Sequence, residues 1–364
     1  MNRENFLKIF EDIKDPRIAR TKLHPLESIM GLGLLGALAG IDSFLGLQDF
    51  AEAHEEQLKA IIPFPNGIPS HDTIGRVFSR IDVDQFHECF FHFTQSLRDN
   101  VKGLIALDGK TMRNSKEDKP LHIVSAWCEA NKLVLGQTKV NDKSNEITAI
   151  PNLLDMIDIE DHVVSIDAMG CQKNIAQKIV EKNGDYLLAL KANQKNLLEN
   201  VQAYFQDEET LNEMSYWKEF DKGHGRIEKR ECWATSNISW IDENHDWPEL
   251  ITIAMVKCER TRKNKKSSDT RFYISSLPED AEVICKTARM HWGIENKLHW
   301  VLDVVFNEDK CMIRKDNAPE IMGIMRKWAI NMHNQVKSEK MSLKRSLAKC
   351  AMSMKYLFTV LEAI

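Results

Sequence analysis

The sequence lacks the patterns that mark disulfide-rich, zinc-finger and membrane-spanning proteins. Its eight cysteines include no C-x-x-C pair, and no secretory leader precedes the first apolar segment. The most hydrophobic stretch, residues 28–41, lies between Glu27 and Asp42 and is too short and too rich in glycine to cross a bilayer. We therefore expect free thiols in a reducing cytoplasm, a buried helix at 28–41 and no membrane partner.

The chain also lacks internal repeats, low-complexity tracts and a strong excess of charge of one sign. With 364 residues, 43% of them hydrophobic, it is long enough for two or more domains. The net charge of −5 argues against a uniform coat for nucleic acid, but residues 257–271 carry a net +5 and residues 310–355 a net +8, which leaves −18 elsewhere. These segments permit local phosphate binding on an acidic body, whereas the simpler interpretation of each is a solvated face.

Residues 1–100 are predicted to be helical. Apolar residues from Phe6 to Ile13 fall at helical spacing, and Ser70 precedes an amphipathic run as a helix-capping residue. Arg76 and Arg80 lie beside that run, so the helix either packs inside the protein or lies against DNA. This part of the chain is therefore a candidate DNA-binding region.

Two short apolar runs each lead into an aspartate. Residues 104–107 precede Asp108, after which Gly109 is predicted to end the strand, and residues 162–169 have a related shape and contain Asp167. Two buried strands that each deliver an aspartate at the polar end bring the carboxylates together at one edge of a sheet. Two like charges held that close call for a cation.

The predicted elements from residue 101 onward follow the order strand, hairpin, helix, strand, helix, strand, helix. This order implies an α/β fold with a mixed sheet covered by helices on both faces, as in ribonuclease-H-like cores. We assign residues 101–206 to the first part of that core and 271–335 to its second part. Residues 207–270 form a β-rich insertion with a basic loop at 257–266, and 336–364 form a basic helical tail.

The segment at 288–303 is predicted to form one helix with two distinct faces. An apolar stripe begins at Ile294, whereas His291, Glu295 and His299 recur every four residues on an adjoining face. A carboxylate at the edge of a buried surface needs a partner. Taken alone, the segment favours a salt bridge to a neighbouring arginine or lysine, or a hydrogen bond to His299, as the partner of Glu295.

Five strings carry a family resemblance: D-G-K-T-M-R-N-S at 108–115, D-A-M-x-C-Q-K-N-I-A at 167–176, D-Y-L-L-A-L-K-A-N-Q at 185–194, G-H-G-R-I-E-K-R at 223–230 and H-W-G-I-E-N-K-L-H-W-V-L-D-V-V-F at 291–306. In this order they resemble the H-repeat-associated branch of bacterial insertion-sequence transposases, which are DDE transposases with a ribonuclease-H-like core. G-I-P-S-H-D-T-I-G-R-V-F at 67–78 resembles the N-terminal segment of that family, so the resemblance covers nearly the whole chain.

The resemblance implies that Asp108, Asp167 and Glu295 are the catalytic acidic triad of a DNA transposase. Their spacings, 59 and 128 residues, fit a core in which an insertion precedes the glutamate helix. The implied cofactor is Mg²⁺ or Mn²⁺, as two ions about 3.5–4 Å apart that serve an in-line displacement at phosphorus. The implied partners are double-stranded DNA and a second copy of the chain, in the bacterial cytoplasm and at the nucleoid when bound to DNA.

The sequence departs from related insertion-sequence transposases around the glutamate. Those proteins carry a Tyr, an Arg and a Lys where this chain has Ala288, His291 and Leu302. Candidate DNA-contacting residues therefore come from the surroundings of the triad and from the strand face shared with Glu228. They are Lys110, Arg113, His224, Arg226, His291, Trp292 and Lys297. His291 would contact phosphate when it is protonated. The alternatives are surface charge for Lys110 and Arg113, core packing for His291 and Trp292, and an internal salt bridge for the strand face.

Two other functions were compared with an active transposase. A DNA-binding protein descended from such an enzyme, no longer catalytic, is disfavoured because all three acidic residues are present. A zinc hydrolase that uses His291, Glu295 and His299 lacks both the H-E-x-x-H form and a thiolate cluster.

Overall fold

A mixed nine-stranded sheet runs through the protein. The structure is a computed structural model that describes residues 6–18, 20, 22–97, 103–116, 119–141, 145–223, 225–241, 247–262, 265–338 and 340–362. The order across the sheet is β3-β2-β1-β4-β5-β9-β8-β7-β6. In chain order the strands are β1 Leu104–Met112, β2 Leu121–Cys128, β3 Leu133–Lys139, β4 Val163–Ile166, β5 Asp185–Leu190, β6 Ser215–Gly223, β7 Arg226–Thr235, β8 Thr252–Arg262 and β9 Lys265–Ser275.

Helices cover both faces of this sheet, as predicted. In chain order they are α1 Leu26–Leu38, α2 Phe44–Ala53, α3 Glu55–Leu58, α4 His71–Phe78, α5 Val83–Ser96, α6 Glu146–Met156, α7 Lys173–Glu181, α8 Lys195–Tyr204, α9 Glu208–Glu213, α10 Ala281–His291, α11 Trp300–Val304, α12 Ala318–Val336, α13 Leu343–Met352 and α14 Met354–Glu362. No helix in the described part of the chain combines the length and the apolar character needed to cross a bilayer.

The strand that carries Asp108 shows why both faces are covered. Side chains alternate along a strand, so Ile105 and Leu107 of β1 enter a core shared with α6, α7 and α8. Ala106 enters a second core on the opposite face, with residues of α1, α5 and α12. The continuous apolar run before Asp108 is therefore a strand buried on both sides.

The strands near the centre of the sheet run parallel, whereas those towards its edges are antiparallel. β1 pairs in parallel with β4 and β4 with β5, while β2 and β3 continue antiparallel on one side. On the other side β9, β8, β7 and β6 follow β5, each antiparallel to its neighbour. The carboxyl ends of β4 and β5 therefore lie at one edge, which is where loops carry functional residues.

The helix that follows Ser70 packs inside the protein. Ser70 caps α4 by accepting a hydrogen bond from the Thr73 N–H (3.4 Å), as its position before the amphipathic run predicts. Ile74, Val77 and Phe78 are buried in the same core as α1 and α12. This packing accounts for the apolar pattern of the helix.

The predicted basic loop at 257–266 is wrong, because β8 continues to Arg262 and β9 begins at Lys265. Both strands reach 11 residues and pair in register along their whole length. This part of the hairpin is largely exposed, so the charged side chains of both strands stay in contact with water. β6 and β7 extend the same sheet.

Two basic residues of the segment 310–355 are buried, so this segment is not simply a solvated face. Arg326 and Lys327 lie in α12 and are each 2% exposed. The Arg326 guanidinium lies 3.4 Å from Glu308, which is buried as well. All eight cysteines are unpaired, and seven are buried, which confirms the prediction of free thiols.

Candidate active site

The ends of two parallel strands place Asp108 and Asp167 side by side. The pairing of β1 with β4 ends where Leu107 lies opposite Ile166, so the next residue on each strand is an aspartate. The sequence predicted that Gly109 ends β1, and this prediction is wrong. The strand continues to Met112 as a partner of β2. The two carboxylates therefore come from neighbouring strands at one level of the sheet.

Asp167 also fixes the loop that follows β4. Its Oδ1 accepts hydrogen bonds from the N–H groups of Met169 (3.0 Å) and Gly170 (3.4 Å). Asn193, which follows β5, donates from its Nδ2 to the Ala168 carbonyl at 2.7 Å. The loops after two parallel strands are thus tied together beneath the second carboxylate.

Glu295 lies in a π-helical segment, Ile294–His299, between α10 and α11. The predicted single helix is therefore interrupted by a wider turn, which is a feature that recurs at functional sites. Ile294 and Leu298 are buried, whereas Glu295 is exposed. A cavity of about 710 Å³ has Asp108, Asp167 and Glu295 in its lining.

The surroundings of Asp108 oppose its negative charge. Burial, and then the carboxylates of Asp167, Glu146 and Glu295 in that order, raise the pKa of Asp108 to about 7. The Gly109 N–H donates a 2.9 Å hydrogen bond to Oδ1 and acts in the opposite direction. A carboxylate whose ionised form is opposed by burial and by neighbouring carboxylates is the kind of ligand that a divalent cation stabilises.

Comparison with known proteins assigns the chain to a family. Residues 99–332 match the family described as Transposase DDE domain, and residues 7–94 match the one described as DDE_Tnp_1-associated. The H repeat-associated putative transposase YhhI of Escherichia coli K12 is 40% identical, over 93% of this chain and 92% of that protein. The putative transposase YncI of Escherichia coli O157:H7 is 39% identical, over 100% and 96%.

This chain belongs to the H-repeat-associated family of DDE transposases. The resemblance carried by the five strings is therefore confirmed. The assignment covers the helices that precede the sheet as well as the sheet itself, because the two matched segments together span most of the chain.

The triad of this DDE transposase family member suits a hard divalent cation by donor type and by charge. Carboxylate oxygens are the ligands that Mg²⁺ and Mn²⁺ prefer, and burial together with neighbouring carboxylates raises the pKa of Asp108, so a bound cation would offset that penalty. Within the described ranges, no three His, Cys, Asp or Glu side chains converge closely enough to ligate one ion. The two-ion cofactor stays a prediction.

The two histidines on either side of Glu295 have different partners, which does not fit a zinc hydrolase. His299 Nδ1 lies 3.4 Å from Asp108 Oδ2, and burial lowers the pKa of His299 to about 3. His291 Nδ1 lies 2.8 Å from Ser165 Oγ, and burial lowers the pKa of His291 to about 4. Burial therefore opposes a protonated His291 in the cavity wall of the DNA-free protein, and its contact with a phosphate stays a prediction.

Lys110 is buried among carboxylates, so it is not an ordinary surface charge, and its contact with DNA stays a prediction. Its Nζ lies 2.7 Å from Asp303, 3.2 Å from Glu308 and 3.3 Å from Asp309. Burial lowers the pKa of Lys110, but these carboxylates outweigh burial and raise it overall. Arg113 also pairs with Asp309 (3.3 Å), yet its side chain is 82% exposed and stays accessible to DNA.

Trp292 and Lys297 occupy different surroundings. The Arg271 guanidinium lies over the Trp292 ring at 4.3 Å, and both residues line the cavity. One face of the indole is thus already covered by a cation. Lys297 pairs with Glu129, so it does not neutralise Glu295. Arg271, which the sequence did not single out, places a guanidinium on the cavity wall.

The strand face around Glu228 forms an internal ion cluster. Glu228 is 2% exposed, and its Oε1 lies 3.0 Å from Arg226 Nε and 3.2 Å from Arg260 Nε. Arg230 pairs with the other oxygen. The salt-bridge alternative therefore describes this face, although the Arg226 side chain is 43% exposed. His224, predicted on the same face, lies outside the described residues.

Two positions that carry polar residues in related transposases serve packing in this chain. Ala288 is 4% exposed and Leu302 is fully buried. Neither side chain carries a polar group that could bond a phosphate. Lys191 and Arg271 are cationic residues that line the cavity instead.

Glu146 and His122 lie against Gly109, the residue after Asp108, although the sequence did not indicate them. Glu146 is the first residue of α6, and its Oε1 accepts a 2.6 Å hydrogen bond from His122 Nε2. Its carboxylate raises the pKa of Asp108 more than Glu295 does. The available signal was positional, because a helix that follows the β2–β3 hairpin returns to the sheet beside the first strand.

Proposed function

We propose that this protein cuts and joins DNA at insertion-sequence ends by divalent-metal-dependent, in-line phosphodiester hydrolysis and transesterification. The observation that supports the proposal is that Asp108, Asp167 and Glu295 all line one cavity, in a chain of the DDE transposase family. Water is the nucleophile for strand nicking, and a DNA 3′-OH is the nucleophile for strand transfer. Because two ends must be joined, we expect a homodimer on DNA in the bacterial cytoplasm.

Asp108, Asp167 and Glu295 are the residues that would hold Mg²⁺ or Mn²⁺. When bound, such ions activate the attacking oxygen and stabilise the leaving oxygen. The chain itself supplies position: the β1–β4 register fixes the two aspartates, and the π-helical segment presents the glutamate. Partial burial of Asp108 lowers the local dielectric, which strengthens its interaction with a cation.

We further propose that β1 to β5 with α6 to α8 form a ribonuclease-H-like core. The strand order β3-β2-β1-β4-β5, with β2 antiparallel and β1, β4 and β5 parallel, supports this assignment. The domain boundaries follow from it: a helical region at 1–100, the core at 101–206 and 271–335, the insertion at 207–270 and the tail at 336–364. β9 crosses from the insertion into the core as one continuous strand.

The insertion also offers a surface for DNA at the tips of its two hairpins. We call Lys222, Arg226, Arg262, Lys265 and Lys266 the hairpin-tip residues, and all five are exposed. The ladder sets Arg226 opposite Arg262, so the two tips lie side by side. The end of β5 lies opposite Phe272 of β9, and at about 3.4 Å per residue the tips extend roughly 20 Å beyond that edge. They project at the edge that carries the carboxylates, and we propose that they hold the duplex there with Arg113, Trp292 and Lys297.

The test is cleavage of labelled DNA that carries the element's candidate ends, with Mg²⁺ or Mn²⁺, by wild-type protein and by Asp108→Asn. Asparagine keeps the shape of the side chain and loses the ligand charge, so we expect metal-dependent cutting that the variant abolishes without loss of folding. Asp185→Asn is the matched control, because Asp185 lies at the opposite end of β5 and accepts a 2.8 Å bond from Ser276 Oγ that an amide oxygen can also accept.

Two results would contradict the proposal in different ways. Cutting by Asp108→Asn at the wild-type rate would show that the triad is wrongly assigned. Specific binding of the ends without cutting under either metal would favour the alternative, a transposase-derived DNA-binding protein that is no longer catalytic.

A further inference from the structure

A fourth carboxylate stands next to the triad, at the start of α6. Glu146 Oε1 is held at 2.6 Å by His122 Nε2, and His122 Nδ1 lies 2.8 Å from the Thr111 hydroxyl. With a proton on Nε2, the imidazole donates to Glu146, and Nδ1 bonds the Thr111 hydroxyl on its other side. Within the described residues Glu146 Oε2 has no bonded partner, so one oxygen is fixed and the other is available.

The backbone beside Asp108 is shaped to admit this carboxylate. Gly109 is the residue directly after Asp108, and a Cβ built on it would lie 2.6 Å from His122 Nε2 and closer still to Glu146 Oε1. No side chain can therefore replace the glycine hydrogen without moving the pair. The missing side chain lets Glu146 lie against β1 at the level of the first catalytic aspartate.

The position of Glu146 works against the metal-free protein. The Glu146 side chain is 13% exposed, and its carboxylate opposes the charge of Asp108 more strongly than that of Glu295 does. A neutral side chain at 146 would remove that repulsion. His122 holds one oxygen of Glu146, and a cation bound between Glu146 and Asp108 would offset the repulsion between the two carboxylates.

We propose that Glu146 is a fourth carboxylate ligand of the divalent ion held by Asp108, and that His122 is a positioning residue that aims Glu146 at this ion. The inference rests on the proposed function, because it adds a residue to the same metal site. It also assigns a role to Gly109, which is to leave room for Glu146 beside Asp108.

The test is Mn²⁺ binding to the metal-free full-length protein by isothermal titration calorimetry, which needs no DNA and no turnover. We expect Glu146→Gln to weaken Mn²⁺ binding by at least about tenfold, because the amide keeps the bond from His122 and loses the ligand charge. Glu231→Gln is the matched control: Glu231 is also 13% exposed and accepts a 2.7 Å bond from the Tyr216 hydroxyl, but it lies on β7. We expect wild-type affinity from that variant.

Two further variants separate a ligand from a merely structural residue. His122→Phe and Gly109→Ala leave the Glu146 charge in place but release or displace it, so both should weaken Mn²⁺ binding. Gly223→Ala, where an added Cβ meets nothing within 4 Å, should not. Thermal unfolding without metal shows whether each variant is folded, and we expect Glu146→Gln to be no less stable than wild type.

The outcomes distinguish this inference from the proposed function. Unchanged Mn²⁺ affinity in folded Glu146→Gln would overturn the role of Glu146 and leave the triad intact. Absence of Mn²⁺ binding to the wild-type protein would overturn the metal site as a whole. Cleavage that depends on Asp108 but not on Glu146 would also restrict the site to three carboxylates.

Discussion

At the scale of single residues, the ionised form of Asp108 is destabilised by its surroundings. Burial and three neighbouring carboxylates raise its pKa from 3.8 to about 7, so the folded protein binds a proton at this carboxylate more tightly than the unfolded chain does. The contribution of this proton to the free energy of unfolding is fully present below about pH 4. It is lost as the pH rises towards 7 and the folded protein must ionise Asp108.

We therefore predict that metal-free wild-type protein loses more stability between about pH 4.5 and about pH 7.5 than Asp108→Asn does. Asparagine does not titrate, so the variant lacks this contribution; the difference is on the order of 3 kcal/mol, since each pKa unit corresponds to about 1.4 kcal/mol. Urea unfolding in the presence of a chelator at both pH values measures it. Identical pH dependence in the two proteins would mean that the environment of Asp108 does not oppose its charge.

The three acids of the triad could be identified from the sequence because each lies inside a string typical of the family. Glu146 could not, because its role depends on a tertiary contact. It approaches Asp108 only after the β2–β3 hairpin has brought α6 back to the sheet, and only because Gly109 leaves room. No local pattern around Glu146 contains that information.

At the scale of secondary-structure elements, Lys110 joins β1 to the segment that follows the glutamate helix. Its ammonium is shared by Asp303, Glu308 and Asp309, and Glu308 also pairs with Arg326 of α12. The strand with the first aspartate, the end of α11 and α12 are thus connected by one partly buried ion cluster. Such a cluster fixes the relative position of the elements that present Asp108 and Glu295.

We predict that Lys110→Met lowers the free energy of unfolding by about 3–5 kcal/mol. Methionine has a similar length but removes the cation that Asp303, Asp309 and the buried Glu308 share, and breaking a buried ion pair costs about this much. Glu308 keeps its pair with Arg326, so we expect the lower end of this range. Arg113→Ala is the contrasting control, because its pair with Asp309 is exposed and is expected to contribute about 1 kcal/mol or less. Urea denaturation compares them, and equal losses would show that the Lys110 cluster carries no special stability.

Strands and helices with a strong apolar pattern were predictable, and those with polar patterns were not. The run before Asp108 and the hairpin after it follow from continuous hydrophobicity and a tight turn. Residues 257–266 were predicted to form a loop because charged residues were taken to exclude a strand, yet β8 and β9 satisfy their backbone groups by pairing with each other. Lys110 was predicted to contact DNA or to be a surface charge, and its burial in an ion cluster was missed because one of its partners, Asp309, lies 199 residues away in the sequence.

At the scale of the whole molecule, one sheet joins the carboxylate edge to the hairpin tips. β9 carries residues 269–273 in the cavity wall and starts at Lys265, one of the hairpin-tip residues. A duplex held at the tips would therefore lie along the side of the sheet where Asp108 and Asp167 meet. The net charge of −5 conceals this arrangement, since the net +5 of residues 257–271 is outweighed by acidic residues elsewhere in the chain.

We predict that the double variant Arg262→Gln and Lys265→Gln weakens binding to any DNA duplex and flattens its dependence on salt. If both side chains contact phosphates, the slope of log K against log salt should fall in magnitude by about 2, because each contact contributes about 0.9. Lys178→Gln with Lys286→Gln removes the same charge from α7 and α10, where both lysines pair with carboxylates, and should leave the slope unchanged. Fluorescence anisotropy over a series of salt concentrations gives the slopes. An equal slope in all three proteins would place the DNA elsewhere on the molecule and leave the cleavage proposal to stand on the triad alone.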